Sequence, residues 1–251
     1  MTPARRAAER FRHSRFLHGY AKGKASWDPA YAAAATLLRE SRFPLLDIGC
    51  GIGLLAAYLR ESGCHQRILG IEPDAAKIRM AAARVAGAYP MVEFQAGDAR
   101  ALPEFAGDIV MFDVLHYLEP AARRSALEQI ASRVAPGGRA LIRTTFRDKS
   151  WRYHATLLEE AVVRVSGWIR GGGCHFPTND EVAAPFLGPQ WETTAKPMWG
   201  RTPFNSYLIE ARRLSHFAGG ETSPTRRPGR PLGGLLKGSP QRDAGGSARV
   251  N

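Results

Sequence analysis

Pro44-Leu45-Leu46-Asp47-Ile48-Gly49-Cys50-Gly51-Ile52-Gly53 is the stretch on which the reading of this chain turns. Apolar residues run into Asp47, glycines follow at 49, 51 and 53, and LLAAYLRES then reads as a helix. A buried strand, a tight glycine turn and a helix start bring unpaired backbone N–H groups to one point, which suits an adenosyl ligand. Backbone reaches such a ligand only where no Cβ intervenes. The spacing is G-x-G-x-G, with an acid two residues before the first glycine, rather than the G-x-G-x-x-G of nicotinamide-type sites.

Working outward, Arg67–Asp74 (RILGIEPD) reads as a second strand ending in Glu72, 19 residues after Gly53. An acid at that distance, on the tip of the second strand, accepts hydrogen bonds from ribose hydroxyls, because both hydroxyls can donate to its two oxygens. MVEFQAGDAR supplies a third strand and then Asp98, which could instead be a turn residue after Gly97.

This order of elements resembles the class I S-adenosylmethionine-dependent methyltransferases, with residues 44–53 matching their motif I. The resemblance implies an α/β fold, a Rossmann-like seven-stranded sheet with helices on both faces and the last strand antiparallel. It implies S-adenosyl-L-methionine as cofactor, held by Asp47, Gly49, Cys50, Gly51, Gly53, Glu72, Pro73, Asp98, Ala99, Asp113 and Val114, with Asp98 facing the adenine amino group. A narrower likeness runs through HGYAKGK, LLDIGCGIGLLAAYLRE, SWRYHAT and WGRTPFNSYLI, over roughly residues 12–213. Those strings are similar to methyltransferases of aryl polyene pigment biosynthesis. That likeness implies a hydroxyaryl acceptor, free or attached to an acyl carrier protein, and such carriers are acidic.

Charge divides the chain into three. Residues 1–27 carry +6, residues 219–251 carry +4, and the body between them, 28–218, only +2 of the total +12. A nearly neutral body argues against a nucleic-acid enzyme with a basic cleft. The basic ends could still attract an acidic partner or make a peripheral contact with an anionic membrane. The Gly-, Pro- and Arg-rich tail lacks periodic apolar residues and reads as disordered. The first segment, with Phe11, Phe16, Leu17 and Tyr20 among its arginines, reads as a short amphipathic helix. It is expected as a lid over the cleft, with a plain surface helix or a transit sequence as alternatives. No apolar run is long enough to span a bilayer, and no secretory leader is visible. Cys50, Cys64 and Cys174 form no C-x-x-C, so neither a metal site nor a disulfide framework is expected, and a reduced, cytoplasmic setting is.

The body alternates as an α/β domain should. Asp28-Pro29 opens a helix; strands are expected at 44–48, 67–71, 91–95, from Asp108, at 139–145, and around 190–197 and 203–211. Helices are expected at 53–62, 74–87 and from Glu119-Pro120 to Pro136-Gly137-Gly138. DKSWRYHATLLEEAVVRVSGWIRGG reads as one long helix, with Leu157, Leu158, Ala161, Val162, Val165, Trp168 and Ile169 on the face that packs on the sheet. Thr178 or Asn179 begins a further helical turn.

A sulfonium is already an activated methyl donor, so the protein has mainly to align donor and nucleophile. Free phenols have a pKa of about 10, so a general base should help. His116, just after the fourth strand, is the first candidate, with a packing or loop-orienting role as the alternative; His154 and His175 follow. Tyr20, Trp151, His154, Arg201 and Asn205 are candidates to contact the acceptor. No D/N-P-P-Y string follows the fourth strand, which disfavours adenine or glutamine N-methylation, and no cysteine is placed for cytosine C5 chemistry. Methylation of an isoprenoid quinone ring, or a cofactor-binding regulator without turnover, are the competing readings.

Overall fold

The computed structural model describes residues 1–165, 175–200 and 202–215. Three amino-terminal helices come first: α1 (Pro3–Glu9), α2 (Arg15–Trp27) and α3 (Pro29–Leu38). Thr2, Ser14 and Asp28 cap them through side-chain oxygens that accept from backbone N–H groups, and Pro3 and Pro29 occupy first-turn positions where a missing N–H costs nothing. Then follow β1 (Leu45–Ile48), α4 (Leu54–Glu61), β2 (Ile68–Glu72), α5 (Ala75–Arg84), β3 (Val92–Ala96), β4 (Asp108–Phe112), α6 (Pro120–Arg133) and β5 (Arg139–Thr145). The chain closes with α7 (Trp151–Val165), α8 (Asn179–Ala183), β6 (Trp191–Pro197) and β7 (Ser206–Arg213).

The seven strands lie in the order β3-β2-β1-β4-β5-β7-β6. The first five are parallel, and β7 runs antiparallel to both β5 and β6. The order in which strands are added reverses between β1 and β4, and in open sheets a ligand sits beyond the carboxyl ends at such a point. Alternate residues feed two separate cores. Leu45, Val110, Leu141 and Leu208 pack under α1–α4, whereas Leu46, Ile109, Met111, Ile142 and Ile209 pack under α6. Burial on both faces is why these strands read as continuous apolar runs rather than alternating ones.

Three expectations change. The amino-terminal segment is two helices, not one: Ala4, Ala7, Ala8, Phe11, Leu17, Ala21 and Ala25 enter the core beside α4, so much of it belongs to the packed body. Helix α5 stops at Arg84, where Val85 leads into a 3₁₀ turn at Ala86–Ala88. On α7, Leu157 and Leu158 face outward, Leu158 with 68% of its surface exposed. That helix is turned instead by polar pegs one turn apart. Arg152 Nη1 donates to the Thr202 carbonyl at 2.6 Å, and Thr156 Oγ1 accepts from the Asn205 N–H at 2.9 Å. Trp168 and Ile169, Cys174, Arg201 and the tail lie outside the described residues.

Candidate active site

The β1–α4 turn closes tightly against β2. Gly49 and Cys50 N–H groups both donate to the Ile71 carbonyl, at 2.8 and 3.0 Å. Gly49, Gly51 and Gly53 all have positive φ (74°, 56° and 81°). At Gly49 a Cβ would stand 2.3 Å from Val114 Cγ2, so the glycine lets β4's loop close over the turn. At Gly51 a Cβ would meet nothing within 4 Å. Packing there does not require glycine; the left-handed backbone and the approach of a ligand do.

Two acids face this turn. Glu72, buried at the tip of β2, accepts from Gly51 N–H at 3.2 Å and from Asp74 N–H at 3.3 Å, with Lys77 Nζ at 3.7 Å. Asp47 is buried on β1, and burial, reinforced by the neighbouring Glu72 charge, pushes its carboxyl up to about 7. Its Oδ2 is buried without a hydrogen-bond partner among the described residues. An orphaned carboxylate oxygen beside an open glycine cradle fits the cationic amino-acid end of S-adenosyl-L-methionine, with Glu72 left for the ribose. Cys50 lines the same turn; burial drives its thiol pKa far up, so it is a filler and not a nucleophile. Pro73 follows Glu72 on the surface, and Ala99 is buried beneath the β3 loop. Asp98, expected at the adenine, spends both oxygens on Arg100, whose Nη2 approaches to 2.6 Å and holds the carboxyl below its ordinary range.

At the end of β4, Asp113 adopts φ 59°, a left-handed conformation that costs a non-glycine residue about 1–2 kcal/mol. An ion-pair ring holds it there. Asp113 contacts Arg143 of β5 and lies 3.2 Å from Lys24 Nζ of α2. Asp28, the cap of α3, completes the ring at 3.0 Å from Lys24 and 3.1 Å from Arg143. Burial alone would push Asp113 up, yet Arg143 and Lys24 hold it down at about 2. The Tyr20 hydroxyl faces the same charges, and burial raises its pKa.

His116 is buried in a 3₁₀ turn (Leu115–Tyr117), its ring stacked on Phe176 at 5.2 Å and tilted against Tyr117 at 4.0 Å. Phe176 in turn meets Tyr153 edge-on at 5.5 Å, and His154 lies exposed beyond it. His116, Phe176 and Tyr153 thus form one aromatic wall from β4 to α7. His175 is drawn away to Glu119, 2.9 Å from Nε2. Trp151 is exposed, with Arg152 stacked between it and Trp199. Asn205 is fully buried, and its amide donates to the Phe146 carbonyl and to Asp148 Oδ2, so it braces the loop beyond β5. Arg201 lies outside the described residues. Sequence reading missed Lys24, Arg143 and Phe176. Arg143 carried a signal, as a charge inside the apolar strand RALIRTT; Phe176 carried none. Among the described residues no cluster of His, Cys, Asp and Glu could hold a metal ion.

Residues 45–138, from β1 to the start of β5, match the family model described as a methyltransferase domain. Solved structures of similar fold include magnesium protoporphyrin IX methyltransferase from Synechocystis PCC 6803 with bound S-adenosylhomocysteine (17% identity, covering 82% of this chain and 93% of that one, TM-score 0.58). The mitomycin 7-O-methyltransferase is similar over 85% of this chain and 61% of its own, at 19% identity and TM-score 0.60. An amino pentose methyltransferase from Micromonospora echinaspora with bound S-adenosylmethionine is similar over 80% and 98%, at 20% identity and TM-score 0.54. No curated protein matches the chain. Residues 45–138 are thus a methyltransferase domain, carried on this sheet and this glycine turn, and S-adenosylmethionine is its cofactor.

Proposed function

We propose that this methyltransferase acts on a small hydroxyaryl acceptor, free or attached to an acyl carrier protein, in the making of a pigment or related secondary metabolite. The observation that carries the reading is the aromatic wall of His116, Phe176 and Tyr153 beside the carboxyl end of β4. Flat rings at centroid separations near 5 Å offer a planar acceptor the offset or edge contacts that aromatic groups prefer. When bound, the cofactor supplies a methyl group on a sulfonium, so the phenol oxygen, or the ring carbon beside it, attacks in line once the phenol is ionised and aligned.

The residues divide the work accordingly. Asp47 and Glu72 bind the two ends of the cofactor, and Gly51 lets backbone lie against it. His116 takes the phenol proton on an imidazole nitrogen. Asp113, whose carboxylate is held ionised at the end of β4 and interacts electrostatically with His116, favours the imidazolium that results. Phe176 and Tyr153 hold the acceptor ring and exclude water.

His116→Gln is expected to lower kcat by about 10²–10⁴ while leaving cofactor affinity unchanged. An acceptor whose phenol is already ionised at assay pH should recover most of that loss. Equal loss on both acceptors would assign His116 to packing. The acceptor class is tested by transfer of an isotope-labelled methyl group to a panel of hydroxyaryl acids, each offered free and as a carrier-protein thioester. Turnover of no member, with cofactor still bound, would overturn the reading.

A further inference from the structure

Helix α2 has three faces, and on the outer two only Tyr20 reaches toward the active site. Leu17, Ala21 and Ala25 point into the core. Opposite them, Phe16, Tyr20, Gly23 and Trp27 recur at i, i+4, i+7 and i+11, which places all four within a narrow sector of the helix surface. Phe16 is 67% exposed, Tyr20 37% and Trp27 75%, so an aromatic stripe about 16 Å long stands out from the protein. Along one side of it run Arg15 and Lys22, both exposed.

The stripe continues across the neighbouring elements. A Cβ on Gly200, in the β6–β7 hairpin, would lie 3.3 Å from Pro29 Cδ and 3.4 Å from the Trp27 carbonyl, so the hairpin abuts the end of α2. The same hairpin is bonded to α7 through Arg152, whose guanidinium also covers Trp151 (64% exposed). Leu158 lies two turns further along α7 on the same side. Exposed Lys149 and Arg147 precede α7.

We propose that the exposed face of α2, continued by the start of α7, docks on an anionic lipid surface. Rings as exposed as Trp27 and Trp151 gain further contacts in a medium that closes around them, as acyl chains and headgroups do. Trp, Tyr and Phe flanked by Arg and Lys form the composition that settles at a bilayer interface, the rings at headgroup depth and the cations on anionic headgroups. The exposed Arg15 and Lys22, with Arg147 and Lys149 before α7, supply the complementarity. Docking in this orientation turns the carboxyl edge of the sheet, where Lys24 of the same helix meets Asp113, toward the bilayer. The acceptor could then enter from the lipid.

The test uses the full chain in vesicle flotation, with phosphatidylcholine alone and with phosphatidylglycerol added. Flotation is expected only with the anionic vesicles, together with a blue shift of tryptophan emission. Phe16→Ser with Trp27→Ser should weaken the partition at least about tenfold. Arg15→Glu with Lys22→Glu should weaken it about fivefold per charge lost. Cofactor affinity and Tm should stay unchanged in both variants, which separates loss of docking from loss of fold. Absence of flotation overturns the proposal. So does undiminished flotation of the Phe16/Trp27 variant, which would place the attraction in basic charge elsewhere. Capture of an acidic carrier protein through the same residues, with vesicles ignored, overturns it in favour of a protein partner.

Discussion

Around the β1–α4 turn the binding edge of the sheet is made of backbone: three left-handed glycines, two N–H groups on one carbonyl, and two acids at strand tips. On the far side of β4 the same edge is made of side chains from distant parts of the chain. Lys24, Asp28, Asp113 and Arg143 meet there in one ring, and His116 stacks on Phe176, sixty residues away. A short local sequence suffices to build the first region. The second is assembled by packing between α2, β4, β5 and α7.

The difference can be broken first where the side chains are most interdependent. Arg143→Ala leaves the buried Asp28 and the half-exposed Asp113 with only Lys24 between them, and should cost about 2–3 kcal/mol in urea unfolding. A loss under about 1 kcal/mol would mean the ring is solvated and the two regions are less different than drawn. Gly51→Leu probes the backbone side. It should cost only about 1–2 kcal/mol for a left-handed leucine, yet abolish cofactor binding in calorimetry, because the new side chain fills the open cradle. Retained binding would remove Gly51 from the site.

A pH series separates the regions without mutation. Asp47 has its folded pKa raised to about 7, so between about pH 4 and pH 7 the folded protein holds a proton that the unfolded chain releases. Its contribution to stability therefore falls as pH rises through that window, and Asp47→Asn should flatten the slope. Asp113 works in the opposite sense and lower down. Held at about 2, it contributes stability that is lost as pH falls from about 4 toward 2. Thermal melts of ligand-free protein across both windows check the two signs. The smallest effect belongs to a control outside either region. Arg67 and Glu93 pair at 3.0 Å on the exposed surface, and Arg67→Ala should change stability by no more than about 0.5 kcal/mol.

The same contrast explains what could be read from residues alone. Strand β5 matches RALIRTT residue for residue, and β1–β4 fall within a residue of their expected bounds, because buried parallel strands write themselves as short apolar runs. That Asp47, the three glycines and Glu72 come together was legible because they lie within about thirty residues of one another. Leu157 and Leu158 were misplaced because helical periodicity cannot see that Arg152 and Thr156 bond the β6–β7 hairpin and rotate α7. Asn205 read as an acceptor contact because an amide in a loop looks available; its bonds to Phe146 and Asp148 come from more than fifty residues upstream.

The four-charge ring has a consequence for synthesis. Arg143 follows Asp28 by 115 residues, which a ribosome takes roughly 6–23 s to add at about 5–20 residues per second. Over that interval Lys24 and Asp28 have emerged but have only each other, and Asp113, when it appears, has no guanidinium to hold its backbone in place. Helix α2 stays unlatched at that end until β5 is made. A product that stops before β5 would carry the glycine turn complete and the second half of its own binding edge unassembled.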